Sequence, residues 1–223
     1  MMPLDRRQIA WRAAQDVADG AYVNLGIGIP TLVADYVPPG REIVFHSENG
    51  ILGLGPAPAP GEEDPDLINA GKSLVTLLPG GAFFTHSDAF LMIRGGHLDL
   101  ALLGAFEVSE TGDLANWTTD DPAMSPGVGG AMDLASGAKS VRVLMQHNTA
   151  KGGPRLRRHC RYPLTARRAV QRIYTDLAVL DVTPAGFLVR EIIAGLDLAG
   201  LQARTEAELS AAADLGVLVV PGL

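Results

Sequence analysis

The stretch Ile43-Val-Phe-His-Ser-Glu48-Asn-Gly50-Ile-Leu-Gly53-Leu-Gly55-Pro56 is an apolar strand running into a glycine-rich turn, with one carboxylate, Glu48, at the junction. An open α/β sheet binds its ligands beyond the carboxyl ends of its strands, so an acidic group placed there meets substrate rather than bulk water. Gly50, Gly53 and Gly55 are expected to let backbone come close to whatever Glu48 touches, because glycine has no side chain to obstruct approach and tolerates left-handed angles.

On the N-terminal side, Asp5 and Gln8 form a capping pair. Ile9, Ala13 and Val17 then recur at helical spacing, and Gly20 stops the turn. Residues 21–25 read as a short strand, and Gly26-Ile-Gly28-Ile-Pro30-Thr31 as a tight turn whose proline begins a helix running to Tyr36. On the C-terminal side, residues 53–66 read as an irregular surface segment or lid, 74–78 as a strand, 79–81 as a Pro-Gly-Gly turn, and 87–93 as a helix ended by Gly95-Gly96. Residues 98–106 and 113–117 follow as strands. A second glycine-rich turn at 126–137 opens a short helix, and 141–145 is a buried strand. Thr165 is read as starting a basic helix, 177–182 and 187–189 as a strand pair, Thr205 to Glu208 as the cap of a final helix, and 217–220 as a closing strand. Short strands alternating with helices give an α/β fold with an open, largely parallel sheet flanked by helices, read as one domain over residues 1–223.

The chain has 223 residues, 47% hydrophobic and 19% charged, and no apolar run near the roughly 18 residues of a membrane helix. Residues 1–8, MMPLDRRQ, carry basic residues with no apolar run behind them, which is not the pattern of a secretory signal. Cys160 is the single cysteine and cannot form an internal disulfide, which fits a reducing cytoplasm; its environment carries no nucleophile motif. The net charge of −7 argues against nucleic acid as the main partner. Against that acidity stands one basic segment, with Arg155, Arg157, Arg158, Arg161, Arg167 and Arg168 between Lys151 and Arg172. It reads either as a solvated or interface face or as an anchor for a phosphorylated ligand.

Three familiar patterns fail. Thr31 stands where a dinucleotide fingerprint needs its third glycine. His46-x-Glu48 lacks the Pro-Cys-x-x-Cys partner of a zinc deaminase, so no metal site is expected. His86-Ser87-Asp88 holds triad letters too close in sequence to converge, and Ser87 reads as a helix cap. His97 and His147 read as structural. Glu48 remains, either as a carboxylate nucleophile or base whose oxyanion the nearby glycine N–H groups steady, or as a group that caps its turn or pairs with an arginine.

Asn24-Leu-Gly-Ile-Gly-Ile-Pro-Thr31, Ser47-Glu-Asn-Gly50, Asn116-Trp117, the run Pro126-Gly-Val-Gly-Gly-Ala-Met-Asp-Leu134, and Leu180-Asp-Val-Thr-Pro184 together resemble the B (β) chain of class I 3-oxoacid CoA-transferases, in the same order over nearly the whole chain. The resemblance implies the fold those transferases share with some sugar-phosphate isomerases. It also implies a ping-pong transfer of CoA from a donor such as succinyl-CoA to acetoacetate or 3-oxoadipate. Glu48 would be the nucleophile that carries a glutamyl-CoA thioester, and Gly129, Gly130 and Ala131 would form the oxyanion and CoA-contact loop. Gly26, Gly28, Ser47, Asn49 and Gly50 would shape the pocket. Coenzyme A enters as substrate, with no permanently bound cofactor, and the partner is the CoA-transferase A (α) subunit in a heterodimer or heterotetramer. Thr85-His86-Ser87-Asp88 departs from the family's Phe-Asp-Ser-like helix start, which bears on acceptor choice. A non-catalytic acyl-CoA or sugar-phosphate binding module and a CoA hydrolase are the competing readings.

Overall fold

The computed structural model describes residues 2–123 and 125–223. Helix α1 (Arg6–Gln15) opens the chain through the expected capping box, in which the Asp5 carboxylate accepts the Gln8 N–H and the Gln8 side chain accepts the Asp5 N–H. Its inward face is Ile9, Ala10, Ala13 and Ala14, small side chains that let the helix lie close to the sheet. Strand β1 (Tyr22–Leu25) follows, then a 3-10 helix (Pro30–Tyr36) in place of the expected α-helix, β2 (Val44–Ser47), β3 (Ile51–Leu54) and β4 (Leu77–Phe83). Next come α2 (His86–Arg94), β5 (Leu100–Leu103), the short β6 (Glu107–Ser109) and β7 (Leu114–Ala115), α3 (Ala131–Gly137), β8 (Val141–Leu144) and β9 (Leu156–Arg157). The chain ends with β10 (Val170–Tyr174), β11 (Ala178–Thr183), β12 (Gly186–Ile193), α4 (Leu198–Gln202) and β13 (Leu209–Leu218).

Ten strands form one sheet in the order β13-β12-β11-β10-β8-β5-β1-β2-β3-β4. The middle run from β10 to β2 is parallel throughout. Antiparallel hairpins extend it on both sides, and β13 returns parallel to β12. This is the open, mostly parallel α/β sheet expected. All four residues of β5, Leu100 to Leu103, are buried, as a central parallel strand covered on both faces requires. Strands β7, β6 and β9 make a separate three-stranded sheet.

Three local expectations are overturned. Pro79-Gly80-Gly81 lies inside β4 rather than forming a turn, and there Gly81 packs so closely on Leu77 that a Cβ would fall 2.5 Å from its Cδ1. The basic helix expected from Thr165 is strand β10, held by Arg172, whose guanidinium meets Asp16 at 2.9 Å and Asp181 at 2.6 Å. The final helix expected from Thr205 is strand β13. Thr205 caps nothing there, since its hydroxyl donates to Leu201 O and bonds the His147 ring.

Part of the basic segment is taken up by internal pairs, while Arg158, Arg167 and Arg168 stay exposed. Arg157 is buried against Glu107 at 2.5 Å and also meets Glu206, while Arg161 meets Glu107 at 2.9 Å. Cys160 is half-buried with its thiol pushed up to about 12, chiefly by burial, which leaves it protonated and inert. No helix among the described residues is long and apolar enough to cross a membrane.

Candidate active site

Glu48 sits on a three-residue hairpin loop between β2 and β3. Ser47 O accepts the Gly50 N–H at 3.0 Å, and Gly50 takes the positive φ of 106° that closes such a loop. Glycine is obligatory at 50, because a Cβ would lie 2.1 Å from Phe84 O. Gly53 and Gly55 serve the same packing rather than a ligand: a Cβ at either would run into Gly81 Cα at 2.9 Å or Thr76 Oγ1 at 2.2 Å. The glycines behind Glu48 therefore let the segment 76–84 close against the hairpin.

The Glu48 side chain is half-buried and lines a cleft of about 670 Å³ at the carboxyl ends of the parallel strands. Gly26 and Gly28, after β1, form one wall, and Gly129, Gly130 and Ala131, at the start of α3, form another. Gly26 is pressed against β5, its N–H donating to Leu102 O at 2.8 Å. Gly28 has φ 99° and holds the Thr31 hydroxyl on its carbonyl at 2.8 Å. In the second loop the Ala131 N–H is used internally on Val128 O at 3.0 Å, so this amide is committed to the turn. Phe90 backs Gly130 so closely that a Cβ there would lie 3.2 Å from its ring. Ser47, Asn49 and Gly50 do not line the cleft. Ser47 Oγ accepts the Ala70 N–H at 3.0 Å and Asn49 Nδ2 donates to Ile68 O at 2.7 Å, so these two hold the segment 68–70 on the back of the hairpin.

Asn24 and His86 hold Glu48 from two sides. Asn24 lies fully buried in β1, opposite His46 of β2, and its Nδ2 donates to Glu48 Oε2 at 3.0 Å and to His46 O at 3.2 Å. The same amide nitrogen also stands 3.1 Å from His46 Nδ1. Burial lowers the His46 pKa against the opposing pull of the Glu48 charge, which keeps the ring neutral. His86, in the first turn of α2, donates Nδ1–H to Glu48 O at 2.7 Å. The cap of α2 is Thr85, in a capping box with Asp88, rather than Ser87. His86 is thus brought to Glu48, but to its carbonyl rather than its carboxylate. A buried asparagine in a central parallel strand is the one sequence signal that could have singled out Asn24.

Arg6, Asn116, Gln146 and Arg155 complete the polar lining. Asn116 is structural: its Nδ2 donates to Gly104 O at 3.1 Å and its Oδ1 accepts the Thr165 hydroxyl at 2.6 Å. His147 is fully buried between the hydroxyls of Thr175 and Thr205, and His97 is exposed away from the cleft. No group of three or more metal-ligating side chains occurs among the described residues. A cleft with one orientated carboxylate, glycine-loop amides and two guanidinium groups suits nucleophilic attack on an acyl carbonyl of an anionic substrate.

Comparison with known proteins identifies the family. The sequence model of the family described as Coenzyme A transferase matches residues 6–193. The chain is 61% identical over 199 residues to the B subunit of 3-oxoadipate CoA-transferase from Pseudomonas putida, covering 89% of this chain and 93% of that protein. It is 49% identical over 203 residues to the B subunit of succinyl-CoA:3-ketoacid coenzyme A transferase from Helicobacter pylori, covering 91% and 97%. Among solved structures, the acyl-CoA transferase YdiF of Escherichia coli O157:H7 superposes with a TM-score of 0.74 at 20% identity; the match covers 96% of this chain and 44% of that longer one.

Proposed function

This chain belongs to the coenzyme A transferase family, as a B-type subunit, and we propose that it moves CoA from succinyl-CoA to a 3-oxoacid through a thioester on Glu48. The observation that carries this reading is Glu48 itself: a half-buried carboxylate lining the cleft, orientated by Asn24 at 3.0 Å and flanked by the Gly129–Gly130 turn.

In the first step a Glu48 carboxylate oxygen attacks the thioester carbonyl of the donor. The C–S bond breaks, leaving a mixed anhydride and CoA thiolate. The thiolate then attacks the Glu48 carbonyl carbon, the anhydride C–O bond breaks, and the donor leaves as a free carboxylate. The glutamyl-CoA thioester is now attacked by the acceptor carboxylate. The two steps run in reverse, releasing acyl-CoA and restoring the Glu48 carboxylate. Each addition places negative charge on a carbonyl oxygen, and the Gly129 and Gly130 amides are the donors assigned to it; removing one such donor costs on the order of 3 kcal/mol in the barrier. Asn24 holds the carboxylate to one orientation, and His86 fixes the backbone that bears it.

The acceptor we assign is 3-oxoadipate, which one relative's name gives, or another 3-oxoacid such as acetoacetate, a member of the 3-ketoacid class that the other's name gives. The partner is the α chain of the transferase, which closes the cleft in a cytoplasmic αβ heterodimer or its doubled heterotetramer. Supporting this are apolar side chains left in solvent: Ile27 at the cleft, Phe83 on β4, Leu91 on α2 and Met132 on α3 are 71%, 67%, 64% and 43% exposed. The test is an assay of the complex reconstituted with that α chain, offering succinyl-CoA with 3-oxoadipate, acetoacetate or short fatty acids. Acceptor-dependent formation of new acyl-CoA, lost in Glu48→Gln, is the expected result. Free CoA released without acceptor would make it a hydrolase, and binding without turnover a non-catalytic module.

A further inference from the structure

Arg155 differs from the other half-buried or buried arginines along β8, β9 and β10. Arg157 and Arg172 are each held by two carboxylates, and Arg142 by Asp16 O and the Tyr174 hydroxyl. The Arg155 guanidinium makes no hydrogen bond or ion pair with any described residue, and its Nε is buried without a partner. Among the charged groups around it the strongest pull comes from Asp176, whose carboxylate already accepts the His147 backbone N–H at 2.6 Å. Burial lowers the arginine's pKa, so the charge sits where solvation is poor. An unpaired guanidinium in such a place is costly unless an anion completes it.

The backbone of Arg155 is pinned on both sides. Its N–H donates to His147 O at 3.2 Å and its carbonyl accepts the Val108 N–H at 3.0 Å, tying it to the small sheet just before β9. The side chain lines the same cleft as Glu48. A rigidly mounted, unpaired planar cation sharing one cleft with a nucleophilic carboxylate matches a substrate with two acidic ends: one reacts, and the other is gripped through paired N–H···O bonds.

We propose that Arg155 binds the distal carboxylate of dicarboxylic acyl groups and selects them over monocarboxylic ones. The proposal rests on Glu48 being the acyl acceptor. Succinyl-CoA and acetoacetyl-CoA supply a matched pair, each with a four-carbon acyl chain, of which only the first ends in a carboxylate.

The test follows formation of the Glu48–CoA adduct by intact mass in the reconstituted αβ complex, for wild type, Arg155→Gln and Arg155→Lys. In Arg155→Gln, kcat/KM for succinyl-CoA falls by roughly 10- to 100-fold, the range for a lost charge-assisted hydrogen bond, while acetoacetyl-CoA changes little. Arg155→Lys keeps the charge without the planar fork and recovers part of the succinyl-CoA rate. Equal loss on both thioesters in variants that retain the wild-type melting temperature, or no loss on either, overturns the role of Arg155 alone. A wild-type complex that forms no adduct with either thioester overturns the assignment of Glu48 together with it.

Discussion

Asn24 Nδ2 stands 3.0 Å from Glu48 Oε2, a contact made between adjacent parallel strands because Asn24 pairs with His46, two residues before the carboxylate. The amide is fully buried and points its NH₂ at both Glu48 and the strand that carries it, so it sets the direction of the nucleophile. Asn24→Ala is expected to slow formation of the Glu48 adduct by roughly 10- to 100-fold, the range for one hydrogen bond to a charged group. Asn24→Asp, which sets a second negative charge beside Glu48, should be slower still. Single-turnover kinetics with succinyl-CoA measure both, and an unchanged rate in either would remove Asn24 from the mechanism.

Gly50 has no room for even one methyl group, with Phe84 O only 2.1 Å from a built Cβ and φ at 106°. Gly50→Ala should destabilise the fold by about 3 kcal/mol or more, combining a left-handed backbone penalty with a backbone clash. It should also displace the loop that bears Glu48. Urea unfolding gives the first effect and adduct formation at low temperature the second. A variant with a wild-type unfolding midpoint would show that the hairpin yields more easily than its packing indicates.

Acid should weaken the fold through His147. Burial, assisted by the Arg204 charge, lowers its pKa from the ordinary 6.5 to about 4. Between those values the unfolded chain binds a proton that the folded chain does not, so stability rises with pH across this window and levels off above it. The full difference is on the order of 3 kcal/mol for one group shifted this far. Buried His46 is shifted in the same direction and adds to the trend. The lowered carboxylates Asp16 and Asp181 lose their contribution only as pH falls further, through and below the ordinary carboxylate range. Urea midpoints at pH 5 and pH 7 should differ clearly in wild type and less in His147→Gln; an equal difference in the two proteins would place the acid sensitivity elsewhere.

The strand leading into the turn that bears Glu48, the α1 capping box and the parallel centre of the sheet are legible in the sequence because each rests on local chemistry: an apolar run ending at glycines, an Asx cap, a buried aliphatic run. Strand β3, whose Gly53 reads as the start of an irregular segment, is not. Nor is strand β13. Its pairing with β12 breaks between Val189 and Glu191, so residues 212–215 bulge out, and the buried positions Leu209 and Ala212 fall three apart, imitating a helix. Strand β10 imitates a helix for a related reason. Arg172 counts as solvated basic surface until the fold brings Asp16 and Asp181 to it, the first from far along the chain.

At the cleft the same division holds. Glu48 and its neighbouring glycines stand out in sequence, whereas Asn24, His86 and Arg155 acquire meaning only from what the sheet sets opposite them. Sequence alone assigns the glycines after Glu48 to a ligand, while the structure gives Gly50, Gly53 and Gly55 to the close approach of the segment 76–84. The arginine-rich segment reads as one surface, yet Glu107 and Glu206 neutralise Arg157 and Arg161 and leave Arg155 to the cleft.

On this mechanism Glu48 carries CoA as a thioester between the two half-reactions. The chain reconstituted with its α partner is treated with succinyl-CoA, the thioester is trapped with hydroxylamine, and the peptide spanning residues 43–56 is weighed and fragmented. A hydroxamate on Glu48, formed only when acyl-CoA is present, is the predicted result. An active complex in which Glu48 stays unmodified, or in which the label falls on another residue, contradicts the account.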